Sequence, residues 1–152
     1  MYVSARADYA LRALVVLAAR GEPTTAEALA RDQQLPRKYL EAILLDLRRS
    51  GIITTKRGPD AGYRFLRDPS GLTPADVMRA LEGPLAEVRG LRPESTSYSG
   101  AATSLQDLWI ALRANLRAVL EGVTIADLAA GKFPRRLAGL IADPAAWAPR
   151  TS

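Results

Sequence analysis

Apolar residues recur along this chain at two periods, and the switch between them marks out its elements. From Ala5 to Arg20, the residues Ala10, Ala13, Leu14, Leu17 and Ala18 follow the i, i+3, i+4 spacing of one helical face, and Gly21 supplies a stop. Thr24, followed three residues later by Glu27, reads as a capping box in which each side chain satisfies the other residue's exposed backbone N–H. A second, short helix is therefore expected from about Thr25 to Gln33. Gln34-Leu35-Pro36 interrupts it, and Pro36 suits the first turn of a third helix because its missing N–H is not needed there. That helix places Leu40, Ile43, Leu44 and Leu47 on one face and ends at Ser50-Gly51. Beyond Gly51 the period becomes that of strands. Ile52 to Thr55 is β-branched throughout, Arg57-Gly58-Pro59-Asp60-Ala61-Gly62 is turn chemistry, and Tyr63-Arg64-Phe65 alternates again. Two short helices joined by a tight turn and followed by a hairpin form a winged helix-turn-helix with a small β-hairpin wing.

Further along, Thr73 with Asp76 opens a helix that runs through Leu81 and stops at Gly83-Pro84. Residues 87–103, including Arg92-Pro93-Glu94-Ser95-Thr96-Ser97-Tyr98-Ser99-Gly100, carry neither period and read as a mobile loop. Ser104 with Asp107 then opens a long helix. Its stripe of Leu105, Leu108, Trp109, Leu112, Leu116, Val119 and Leu120 is sustained over about four turns. So little chain remains to cover this stripe that pairing with the same helix of a second copy is expected, core packing within one subunit being the alternative for part of it. Thr124 with Asp127 caps a last helix to Ala130, and the prolines at 134, 144 and 149 predict an irregular tail or one short helical piece. The expected fold class is mainly α. A winged helix-turn-helix occupies residues 1–67, a linker helix, loop and dimerisation helix residues 68–131, and a tail residues 132–152.

Composition narrows the chemistry. With 152 residues, 48% of them apolar and 24% charged, the chain is long enough for one core and too apolar for disorder as its main state. Residues 1–67 hold 12 Lys+Arg against 7 Asp+Glu, whereas residues 68–152 hold 9 of each. All the excess positive charge thus lies in the first half, the electrostatic footprint of a polyanion partner; a solvated basic surface is the plainer reading. There is no Cys and no His. Disulfides, thiolate nucleophiles, Ser-His-Asp and Cys-His constellations, the usual zinc sites and thiolate-held iron–sulfur clusters cannot be built. No paired carboxylates stand out, so an enzyme is not expected. The turn at Gly58 to Gly62 lacks the Gly-Lys-Ser/Thr ending of a nucleotide loop and lies between two strands. No secretory pattern precedes the first helix. The longest strictly apolar stretch, Ala13 to Ala19, is far short of the roughly 20 residues of a membrane span, so a cytoplasmic protein without a membrane partner is expected.

The runs Tyr39-Leu40-Glu41, Leu47-Arg48-Arg49-Ser50-Gly51-Ile52-Ile53, Arg57-Gly58-Pro59 and Gly62-Tyr63 together resemble the signature of the bacterial IscR/NsrR/CymR family of winged-helix transcription regulators. The resemblance covers about Met1 to Gly131, including Asp107-Leu108-Trp109. It implies a two-fold symmetric homodimer that binds palindromic promoter DNA. On this view Lys38, Tyr39 and Glu41 take the positions that meet bases or adjacent phosphates. Lys38 could donate to a guanine edge or a phosphate and Glu41 could accept from a cytosine amino group. Arg37 lies beside them, and the Tyr39 ring has core closure as its alternative role. Arg57, with Gly58 in the wing, suits insertion into a narrow minor groove, and the alternative is a solvated turn arginine. Arg48, Arg49, Lys56 and Arg64 are phosphate contacts or solubility charges.

Two departures qualify the resemblance. Many members hold an iron–sulfur cluster on three cysteines in the loop before the long helix, and this chain has none. Asp8 matches a carboxylate ligand position of some members, yet one carboxylate without thiolates would not retain a cluster, and Asp8 reads as an ordinary first-turn acid. The family wing usually has Gly-Gly where this chain has Asp60-Ala61, which raises the cost of a positive φ there. The expectation is a DNA-binding regulator, a repressor with an activator as the alternative, without metal or cofactor. It leaves room for a small-molecule effector or, as in cluster-free CymR-like relatives, a metabolic-enzyme partner. The alternative is a winged-helix protein-interaction module that has lost operator binding.

Overall fold

The structure, a computed structural model, describes residues 2–150; Met1 and the last two residues of the 132–152 tail lie outside it. Helix α1 (Ala5–Arg20) starts where the Ser4 hydroxyl accepts the Ala7 N–H at 3.0 Å. It ends at Gly21, left-handed at φ 67°, whose N–H bonds the Leu17 carbonyl. Helix α2 (Ala26–Gln33) is capped by Thr25, which accepts the Ala28 N–H at 3.2 Å, and not by Thr24 with Glu27 as the spacing suggests. Thr24 is buried, its hydroxyl donates to the Glu22 carbonyl, and its backbone exchanges two hydrogen bonds with Tyr63 of the wing, at 3.0 and 2.8 Å. That bridge holds Thr24 extended and moves the cap one residue on. Gln34, left-handed at φ 53°, ends α2. Pro36 is the N-cap of α3 (Arg37–Arg49) and not a first-turn residue.

Strands β1 (Ile53–Lys56) and β2 (Gly62–Phe65) pair antiparallel, with Ile53 opposite Phe65 and Lys56 opposite Gly62. The wing turns on the glycines it keeps: Gly58 has φ 101° and Gly62 φ 150°, whereas neither Asp60 nor Ala61 has a positive φ. The strain expected from Asp60-Ala61 does not arise. Gly62 is required for a second reason, since a Cβ there would lie 2.6 Å from the Thr24 carbonyl carbon.

Helices α4 (Pro74–Glu82) and α6 (Ile125–Ala130) open with complete capping boxes, Thr73 with Asp76 and Thr124 with Asp127. Helix α5 (Leu105–Leu120) does not. Ser104 is itself helical and makes no side-chain cap, because a 3-10 turn at Gly100–Ala102 runs into the helix through Thr103 and Ser104. The 87–103 segment is also no mobile loop, since it is folded against α5. Val88 and Leu91 exchange backbone hydrogen bonds, Pro93 is fully buried, and the Thr96 hydroxyl donates to the Pro93 carbonyl at 2.7 Å. From α5, the Gln106 amide donates to the Thr96 carbonyl at 2.6 Å and the Trp109 indole N–H to the Tyr98 hydroxyl at 2.9 Å. Side-chain bonds to backbone order this stretch, and such bonds leave no period in the sequence.

The core gathers Leu14, Leu17, Leu29, Leu40, Ile43, Leu44, Leu47, Ile52 and Ile53 from the first half with Leu72, Val77, Leu81 and Ile125 from the second. Helices α4 and α6 pack on α1, and the Ile125 N–H bonds the Leu72 carbonyl at 2.8 Å. The tail contains one short helix, α7 (Arg135–Ala142), which buries Leu137.

Candidate nucleic-acid interface

Helix α3 has two faces with opposite fates. Leu40, Ile43, Leu44 and Leu47 are buried against the core. Lys38, Ala42, Leu45 and Arg49, at i, i+4, i+7 and i+11, lie exposed on the other side. Small Ala42 in the middle leaves the helix backbone accessible. Arg37 is exposed, and its guanidinium bonds the Glu41 carboxylate at 3.0 Å and lies 3.8 Å from that of Glu27. Arg37 and Glu41 thus neutralise one another at the edge of this face. Tyr39 is 41% exposed and does not close the core; its ring meets that of Tyr9 edge-on, centroids 5.7 Å apart. The Arg12 guanidinium stacks over Tyr9 at 5.4 Å.

Lys56, Arg57 and Gly58 lead from β1 into the exposed wing turn, and Arg64 is exposed on β2 opposite Thr54. Arg48 and Arg49 occupy the last turn of α3, where positive charge also complements the helix dipole. Among the described residues Lys38, Arg48, Lys56, Arg57 and Arg64 have no ion-pair partner, while Arg49 has only Asp46 at 3.9 Å. Five free cations on α3 and the wing are charges that the fold does not use. Leu45 was not singled out by sequence reasoning, which treats an apolar helix residue as core. Its offset of seven from Lys38 is the signal that places it outside.

Helix α5 is built differently. None of its residues is buried: Leu105, Leu108, Leu112 and Val119 are exposed, Leu108 to 54%, and Trp109, Leu116 and Leu120 are half-buried. Trp109 serves the 87–103 segment through its bond to Tyr98. The rest of the stripe has no full cover from its own chain.

Residues 3–131 match the Rrf2 family, described as an iron-dependent transcriptional regulator. The Mycobacterium tuberculosis protein Rv1287, named as an HTH-type transcriptional regulator, is 42% identical over 145 residues, which span 94% of this chain and 90% of that protein. The solved structure of CymR, titled the global cysteine regulator of B. subtilis, superposes with a TM-score of 0.74 at 28% identity, covering 87% of this chain and 98% of CymR. The IscR of T. potens gives 0.68 at 26% identity over 84% and 85% of the two chains. The iron in the family description finds no matching donors here. The chain has neither Cys nor His, the described residues include no group of three or more metal-binding side chains, and Asp8 is bonded to Arg12 at 2.7 Å. A thiolate-held iron–sulfur cluster does not fit this donor set. No helix among the described residues is long and apolar enough to cross a membrane. By its match across residues 3–131 and its likeness to regulators along nearly its whole length, the chain belongs to the Rrf2 family, one of transcriptional regulators and not of enzymes.

Proposed function

We propose that this protein is a homodimeric repressor that binds palindromic promoter DNA in the cytoplasm and does so without an iron–sulfur cluster. The observation that carries the reading is α3, whose apolar face is wholly buried while its opposite face presents unpaired Lys38 at the start of the helix. A recognition helix meets the major groove with its N-terminal residues, so Lys38, Tyr39 and Glu41 are the groups that reach base edges, and Ala42 keeps the approach close. Arg57 enters the minor groove from the wing, and Arg48, Arg49, Lys56 and Arg64 hold the phosphates. Two copies joined through α5 present two recognition helices related by a two-fold axis, which calls for a palindromic site. Occupying such a site within a promoter blocks polymerase.

Operator fragments selected from genomic DNA by the wild-type protein provide the test, read by fluorescence anisotropy at several salt concentrations against scrambled duplexes. Arg57→Ala is expected to cost about 1–3 kcal/mol on the operator and to relax the preference for A·T pairs under the wing. Lys38→Ala is expected to relax preference at one position per half-site if it reads a base. If it holds only phosphate, it lowers the salt slope by about one unit on every sequence. Unchanged operator affinity in both variants, with the dimer intact, would overturn the assignment in favour of a protein-interaction module.

A further inference from the structure

The second half carries no net charge, yet its arginines are unevenly placed. Arg79 on α4, Arg92 in the segment before α5, and Arg113 and Arg117 on α5 converge on one cavity of about 330 Å³. Glu94 is the one carboxylate in its lining. It pairs with Arg113, and Arg79 pairs with Glu121 of the neighbouring turn. Arg92 and Arg117 have no ion-pair partner among the described residues, so two of the four positive charges are uncompensated. Arg113 is 16% exposed, the least of the ion-paired arginines. Hydrogen bonds from its own backbone N–H and from Arg113, with the charges of Arg113 and Arg92, hold the Glu94 carboxyl below its usual range. Solvent-exposed cations ordinarily spread apart. Four guanidinium groups around one hollow, reached from three separate elements, are an arrangement that packing does not require.

We propose that this cavity binds a small organic anion carrying two or more negative charges. The guanidinium fork matches carboxylate and phosphate oxygens through two parallel N–H donors, which a lysine cannot reproduce. A volume of about 330 Å³ lies at the small end of ligand pockets and suits a metabolite. Pro84 and Leu85 supply an apolar wall for a carbon skeleton, which favours a dicarboxylate or a phosphate ester over bare phosphate. Such a ligand would tie α4, which packs on α1 of the winged half, to α5. Binding itself does not rest on the proposed DNA-binding function; only a consequence for operator affinity does.

The full chain, without DNA, is titrated by isothermal calorimetry with citrate and with phosphoenolpyruvate, and with acetate and chloride at matched ionic strength. Saturable binding of citrate or phosphoenolpyruvate, at least tenfold tighter than acetate, is expected. Arg92→Ala and Arg117→Ala should each weaken it at least tenfold, with the circular dichroism spectrum unchanged because neither side chain has an ion pair to lose. Arg117→Lys keeps the charge and should still weaken it several-fold. Arg57→Ala in the wing should leave it as in wild type. Absence of saturable binding by both multivalent probes, equal binding of acetate, or a loss as large in Arg57→Ala as in Arg92→Ala would each overturn the proposal. Since no DNA is present, a failed operator experiment leaves this result standing, and the reverse holds as well.

Discussion

Helices α3 and α5 are both amphipathic, and their apolar faces meet opposite ends. Leu40, Ile43, Leu44 and Leu47 of α3 are buried, with α1 and α2 packed on the helix, which leaves the opposite face of Lys38, Ala42, Leu45 and Arg49 exposed. The 16 residues of α5 include none that is buried, so there the apolar face is itself the unsatisfied surface. An amphipathic stripe states that a face must be covered and does not state by what. In the winged half the cover comes from the same chain. In the second half only part of it does, through the folded 87–103 segment and the end of α4. The exposed surface is accordingly the polar side of one helix and the apolar side of the other.

The strongest blow to this contrast would fall on α3. Leu40 is fully buried, and Leu40→Ala is expected to cost about 2–5 kcal/mol of stability through lost burial and an unfilled cavity. Chemical denaturation followed by circular dichroism measures it. A cost below about 1 kcal/mol would show that α3 is not held by its buried face.

A comparable loss is expected at α5, but in assembly. Leu112→Glu combined with Leu116→Glu places two carboxylates in the stripe, and burying them against a second copy leaves unpaired charges. Association of the proposed dimer should weaken by about two orders of magnitude or more, roughly 3 kcal/mol, while the winged half keeps its helical spectrum. Sedimentation equilibrium across the micromolar range reads the change. A folded wild-type monomer at those concentrations would remove the contrast, since α5 would then tolerate its bare face.

How far these differences were legible follows from what makes each element. Buried faces of α1 and α3 obey the helical period, and the boxes at Thr73 with Asp76 and Thr124 with Asp127 form as spaced. Local sequence could not choose between Thr24 and Thr25, because the choice is made by a bridge to Tyr63, 39 positions away in the chain. Nor could it see that Gln106 and Trp109 fold the aperiodic 87–103 segment onto α5, or that Ser104 is carried into helical geometry by the turn before it. The arginine cavity was hidden by arithmetic. Nine cations against nine anions read as balance, and only the fold brings Arg79 and Arg92 beside Arg113 and Arg117. On α3, the exposed residues were legible from its buried ones. The ion pair of Arg37 with Glu41, which distinguishes it from free Lys38, stands at i, i+4 and was open to the same reasoning.

The smallest expected effect lies where the two halves join. Asp76 closes the capping box of α4, and its carboxylate lies 3.4 Å from Arg67, at the end of the winged half. Burial pushes its pKa up, but the backbone N–H and hydroxyl of Thr73 and the charges of Arg67 and Arg79 outweigh this, so the folded value falls below the usual 3.8. A carboxyl whose pKa is depressed by folding stabilises the protein above its unfolded value and loses that contribution as pH falls through the folded value. Asp76→Asn removes the charge and should cost about 0.3–1.5 kcal/mol at neutral pH, the range of a capping interaction. The gap in Tm between wild type and variant should stay constant from pH 7 to about pH 5 and then close as the pH drops below about 4. Thermal melts from pH 7 down to pH 2.5 measure the gap. A gap that remains constant to the lowest pH would show that Asp76 acts through its shape in the cap alone, and that its charge does not help hold the winged half to α4.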